Sequence, residues 1–94
     1  MAETRKLEGK VALVTGGAQG LGEAILKEFA LEGAKTIIFD IHANESNRVK
    51  EELRKTNNDT EVVIVDVCNS DAVNIAISNL CKKYKKIDIL VNAV

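Results

Sequence analysis

Four short apolar runs, separated by segments of helical period, confine this chain to an α/β architecture built on a parallel sheet. The runs are Lys10–Thr15 (KVALVT), Lys35–Ile41 (KTIIFDI), Thr60–Val67 (TEVVIVDV) and Ile87–Asn92 (IDILVN). Each is rich in β-branched residues, and their continuous rather than alternating apolarity predicts strands buried on both faces. Between them, Gly20–Glu32 places Leu21, Ile25 and Phe29 four apart, with Ala24 and Ala30 beside them, as the expected inner face of a helix. Glu23 and Lys27 are spaced to pair on its outer face, and Gly33 supplies the stop. Glu45–Thr56 is a charged helix with Val49 and Leu53 as its thin apolar stripe, closed by an Asn57-Asn58-Asp59 turn. Asp71–Tyr84 is the third helix, with Ser70 as expected N-cap and Val73, Ile77, Leu80, Cys81 and Tyr84 on one face. Lys82, Lys83, Lys85 and Lys86 read as its solvated C-terminal end, where cations suit the helix dipole. The order β-α-β-α-β-α-β, without proline, repeat or linker, predicts one domain over residues 1–94 with helices on both faces of the sheet.

Composition narrows the function by exclusion. A net charge of −1 favours neither nucleic acid nor an anionic membrane as partner. Phe29, Phe39 and Tyr84 are the whole aromatic set, too few for a base-stacking platform. Cys68, Cys81 and His42 match no metal or redox spacing, so no metal site is expected and both cysteines read as reduced core filler. No apolar run is long enough for a membrane span. The start MAETRKLEGK lacks a signal-peptide apolar region and carries Glu3 and Glu8, which a mitochondrial presequence would avoid; cytosol is the expected location.

The stretch that carries chemistry is Thr15-Gly16-Gly17-Ala18-Gln19-Gly20-Leu21-Gly22, between the first strand and first helix. Such a turn aims backbone N–H groups and the positive end of a helix at one point, which suits a phosphate. No choice of glycines here gives G-x-G-x-x-G, and Leu21-Gly22-Glu23 lacks the Gly-Lys-Ser/Thr ending of a P-loop. What fits is Gly16-x-x-x-Gly20-x-Gly22 preceded by Thr15. The second element is Asp40, near the end of the second strand and about 20 residues past the loop, the station from which a carboxylate accepts adenosine ribose hydroxyls. It would repel a 2′-phosphate, and neither Ile41-His42-Ala43-Asn44 nor Gln19 offers an arginine or lysine to receive one. NAD is therefore expected over NADP, with His42 as an exposed loop residue.

Together these residues resemble the N-terminal part of a short-chain dehydrogenase/reductase, from Leu7 to about Ala93. Thr15, Gly16, Gly20 and Gly22 match the family's T-G-x-x-x-G-x-G loop, and Asp40 its acidic residue in NAD-preferring members. Asp66-Val67 matches the Asp-hydrophobic pair beside the adenine, and Ile87–Asn92 the approach to an Asn-Asn-Ala-Gly segment. The Gly9–Gly22 opening with Asp40 is compatible with hydroxyprostaglandin-dehydrogenase-like and insect alcohol-dehydrogenase-like members alike. The resemblance implies a Rossmann-type parallel sheet, N-terminal half only, in strand order 3-2-1-4, with Thr15 and Asn92 as neighbours at the switch point. It implies a dinucleotide site formed by Thr15, Gly16, Gln19, Gly20, Leu21, Gly22, Asp40, Ile41, Asp66, Val67 and Asn92.

The sequence departs from the family at three places. Ala93 replaces the second asparagine, and Lys85 follows Tyr84 where the family commonly has a glycine. The family's catalytic serine and Tyr-x-x-x-Lys pair lie beyond this length, and the only tyrosine, Tyr84, is followed by Asp88 at the lysine position. No catalytic residue is therefore expected among these 94. The intact relative, a homo-oligomer by resemblance, would transfer hydride between NAD and a secondary alcohol or ketone. A short product that binds a nucleotide or a partner without catalysis, and a non-functional truncation, are the alternatives.

Overall fold

Val11–Thr15 (β1) runs through the middle of the sheet, with Val11 to Val14 all buried. The computed structural model describes residues 6–56 and 58–93; Glu3, Asn57 of the predicted turn, and Val94 lie outside them. After β1 come α1 (Gly20–Leu31), β2 (Lys35–Asp40), α2 (Ala43–Arg54), β3 (Glu61–Ile64), α3 (Ser70–Tyr84) and β4 (Ile89–Asn92). The strands pair in the order β3-β2-β1-β4, all parallel, as the resemblance implies. Thr15 is in register with Phe39 on one side and Asn92 on the other.

Successive side chains of a strand point to opposite faces, and that divides the core in two. Val14 and Ile38 pack with Leu26 and Ala30 of α1 and Val49 and Leu53 of α2. Leu13, Ile37 and Phe39 face the other way and pack with Leu80 of α3. The central residues of β1 and β2 are thus apolar and buried because each strand meets helices on both sides. β3 and β4, at the edges, are only half-covered, and Ile64 and Leu90 are exposed.

Several predicted details are corrected. The buried face of α1 is Gly22, Leu26 and Ala30; Ile25 and Phe29 flank it, and Leu21 is 71% exposed. β3 stops at Ile64 rather than Val67, because the Asp66 side chain accepts the Cys68 N–H at 2.9 Å and turns the chain toward α3. The N-cap of α3 is Asn69, whose side chain accepts the Ala72 N–H at 3.1 Å, so Ser70 becomes the first helical residue. Cys81 lies off the buried face and Cys68 sits past the end of β3; both are exposed rather than core filler. The remaining boundaries move by one or two residues at element ends, where helices and strands fray.

The lysine cluster after α3 is partly tied down: Lys83 pairs with Glu61 at 2.9 Å and Lys86 with Asp88 at 3.3 Å. Lys85 caps the helix with φ of 71°, in the left-handed region where a Cβ crowds the following carbonyl. Lys85→Gly is therefore expected to stabilise the protein by about 1 kcal/mol, part of the relief being offset by the freer unfolded chain. Denaturant unfolding of the two proteins checks it; an unchanged or lower midpoint for the glycine variant contradicts the strain.

Candidate functional site

A parallel sheet with helices on both faces leaves a crevice at the carboxyl ends of its strands, where the strand order reverses. Here β1 lies between β2 and β4, with α1 and α2 over one face and α3 over the other. At that end opens a cleft of about 500 Å³. Of the predicted residues, Gly16, Gln19, Gly20, Leu21, Asp40, Ile41, Asp66 and Val67 line it. Thr15, Gly22 and Asn92 stand behind the lining. The Thr15 hydroxyl donates to Asn92 Oδ1 at 2.8 Å and lies 3.3 Å from the Val91 carbonyl, which pins β1 to β4 at the switch point. Gly22 is buried beneath Gly16 and Gly17.

The loop is shaped by its own backbone. The Gly16 N–H donates to the Phe39 carbonyl at 2.7 Å, drawing the start of the loop against β2. Gln19 is extended, and α1 begins at once with the Glu23 N–H on the Gln19 carbonyl at 3.3 Å. Among the described residues, the Gln19 side chain makes no cap hydrogen bond, so the first N–H groups of α1 are left for an acceptor outside the helix. Gly20 holds φ of 55° with open space where a Cβ would stand. That combination lets an anion approach the helix end without meeting a side chain.

Asp40 is the charged wall of the cleft and is only 8% exposed. Its Oδ2 accepts the Ala18 N–H at 3.2 Å, and its Oδ1 accepts the His42 N–H at 2.9 Å. The His42 ring Nδ1 lies 2.8 Å from the same Oδ1. Burial pushes the Asp40 carboxyl up, but the His42 N–H, the His42 ring and the Ala18 N–H together outweigh it and hold the pKa below the ordinary aspartate value. Asp40 is thus a carboxylate at neutral pH, and the same contact to Ala18 couples it to the glycine loop.

A second set of charges clamps α1 to α2 beside the loop. Arg48 meets Glu23 at 3.0 Å, Glu45 at 3.1 Å and Glu52 at 2.8 Å, and Lys27 meets Glu23 at 2.8 Å as the spacing predicts. The Arg48 and Lys27 contacts hold the Glu23 carboxyl below its ordinary pKa. Arg48 also lies 3.5 Å from the Ala18 carbonyl, so Ala18 is held at both its N–H and its C=O.

Sequence reasoning missed Phe39, His42, Val65, Cys68 and Ala93, which also line the cleft. Each sits at or just past the end of a strand. The rule that such sheets bind ligands at their carboxyl ends was the signal that pointed to them. Tyr84 is excluded by position: its hydroxyl donates to Glu61, the first residue of β3, at the opposite end of the sheet from the cleft. Among the described residues no cluster of histidine, cysteine and acidic side chains could hold a metal. Among them also, no helix is long and apolar enough to cross a membrane.

Residues 10–94, taking in the glycine loop, Asp40 and β4, match the short chain dehydrogenase family. The chain belongs to that family. It is 44% identical over 89 residues to secoisolariciresinol dehydrogenase of Forsythia intermedia, covering 95% of this chain and 31% of that protein. Among solved structures, it is similar to a metagenomic short-chain oxidoreductase in complex with NADP (TM-score 0.86, 26% identity), covering 89% of this chain and 38% of that one. It is equally similar to an NAD+-bound xylitol dehydrogenase (TM-score 0.85, 27% identity), covering 90% of this chain and 33% of that one. The chain therefore spans about a third of the length of the relatives it matches. The short-chain dehydrogenases are oxidoreductases that use nicotinamide dinucleotides, and relatives with either dinucleotide share this fold.

Proposed function

We propose that these 94 residues form the adenosine-and-pyrophosphate end of an NAD site, within an oxidoreductase that moves hydride between NAD and a secondary alcohol or ketone. The observation that carries this reading is Asp40: a buried, ionised carboxylate at the end of β2, hydrogen-bonded to the loop that would hold the pyrophosphate. Ribose hydroxyls donate to such a group, whereas a 2′-phosphate would bring negative charge against it. The first-turn N–H groups of α1 would take the pyrophosphate, and Asp66 and Val67 would flank the adenine. The bound dinucleotide supplies the hydride chemistry; these residues bind and orient it. The family's serine and its Tyr-x-x-x-Lys are not in this sequence, so proton transfer to the substrate falls to residues outside it.

Binding measured on the protein at its full native length tests the reading. NADH is expected to bind at least about tenfold more tightly than NADPH, the equivalent of about 1.4 kcal/mol, and Asp40→Ala is expected to narrow that gap. Equal or tighter NADPH binding by the unmutated protein would overturn the preference.

A further inference from the structure

The helix end that would receive the pyrophosphate carries a charge of the wrong sign. Glu23 is the acidic residue of the first turn of α1, and its own N–H is bonded to the Gln19 carbonyl. Its carboxylate therefore belongs to the turn that opens with Gly20 and Leu21, which line the cleft. An acid in the first turn suits the helix dipole when no ligand is present. Near a bound diphosphate the same charge is repulsive, and with its side chain 17% exposed, water screens it poorly.

The structure answers that charge from the neighbouring helix. Arg48 reaches across from α2 to Glu23 at 3.0 Å and lies 3.5 Å from the Ala18 carbonyl of the loop itself. Lys27 meets Glu23 from within α1 at 2.8 Å. Neither cation serves Glu23 alone: Arg48 also holds Glu45 and Glu52, and Lys27 lies 3.5 Å from Glu52. Loss of Arg48 would leave Glu23 sharing Lys27 with Glu52. By contrast Arg54, farther along α2, pairs with Glu51 of its own helix.

We infer that Arg48 is a positioning residue for the pyrophosphate: it neutralises Glu23 and holds it toward α2, so the first turn of α1 meets an anion without an opposing charge. Arg48 is not part of the cleft lining and acts through Glu23 rather than by touching the ligand. This rests on the reading of the cleft as a dinucleotide site.

The test titrates NADH, ADP and adenosine into the protein at its full native length and into Arg48→Met, Glu23→Gln and the double variant. ADP carries the diphosphate and adenosine does not. Arg48→Met is expected to weaken ADP about fivefold, the size of one partly screened unit charge acting on a diphosphate, and to leave adenosine unchanged. The double variant is expected to regain ADP affinity to within about twofold of the unmutated protein, while its unfolding midpoint stays lowered because the clamp between the helices is still missing. Glu23→Gln by itself is expected to bind ADP about threefold more tightly, although it too loses the ion pair; this arm decides even if Arg48→Met fails to fold. A merely structural clamp predicts the reverse. Weaker ADP binding by Glu23→Gln, no recovery in the double variant, an equal loss of adenosine and ADP in Arg48→Met, or an unchanged ADP affinity in Arg48→Met would each overturn the inference. If NADH still binds the unmutated protein, those results leave the site reading standing; if neither NADH nor ADP binds it, both fall.

Discussion

Gly22→Ala is expected to lower stability by about 3 kcal/mol, the upper end for forced overpacking, and to abolish dinucleotide binding. A Cβ built on Gly22 would stand 2.1 Å from the Gly16 carbonyl oxygen, 2.8 Å from its carbon and 3.2 Å from the Gly17 Cα. All three are backbone atoms, so no side-chain rotation relieves the clash. The first turn of α1 must then lift off the loop, and the N–H groups that converge on the cleft lose their common focus. Gly20→Ala serves as the contrast. Nothing lies within 4 Å of a Cβ there, but φ is +55°, so the cost is about 1 kcal/mol of left-handed strain without a clash. The larger Gly20→Val would also put a side chain into the space that the pyrophosphate needs, so it is expected to lose binding while keeping its circular dichroism. Denaturant unfolding and NADH titration of the three variants separate these effects. A Gly22→Ala protein with an unchanged midpoint and affinity would show that helix and loop are not in contact as described.

The 94-residue chain studied by itself is expected to self-associate at micromolar concentrations and above, and to bind a hydrophobic dye. Among the described residues β4 pairs on one side only, with β1, so its other edge presents unsatisfied N–H and C=O groups. Leu90 in that strand is 62% exposed, and no charged residue lies within Ile89–Asn92 to discourage pairing. The face served by α3 is thinner than the one shared by α1 and α2: Leu80 is the only buried residue of that helix, and Ile75 points to solvent. Each strand pairing also closes a long loop before it brings stabilising contacts, which slows folding and prolongs exposure of these groups. Leu90→Lys places a charge on the open edge and is expected to raise the monomer fraction and reduce dye binding. Light scattering with thermal unfolding is the measurement. A monodisperse monomer with a sharp cooperative transition and no dye binding would contradict the expectation.

Spacing and residue type already carried much of this protein. The four apolar runs and three periodic segments become the observed strands and helices in the predicted order. Thr15-Gly16-x-x-x-Gly20-x-Gly22 and Asp40, far apart in the chain, meet at one cleft because parallel strands bring their carboxyl ends together. Lys85, standing where the family commonly has a glycine, takes the left-handed conformation. These features were legible because each follows from a local rule, whether a strand run, a helical repeat or a turn that needs a small residue.

What only the tertiary structure decided is the phase of each element and the contacts between them. A four-residue repeat says that α1 has an inner face without saying which one. The close approach of Gly22 to Gly16 and Gly17 sets the rotation of the helix, so Leu26 and Ala30 turn inward and Leu21 turns to the cleft. In the same way, Asn69 displaces Ser70 as the cap because the Asp66 turn delivers its side chain to the Ala72 N–H. The pairing of His42 with Asp40 was hidden for a related reason. Two residues apart on a strand, they would share a face without touching; the bend at the end of β2 brings ring and carboxylate to 2.8 Å.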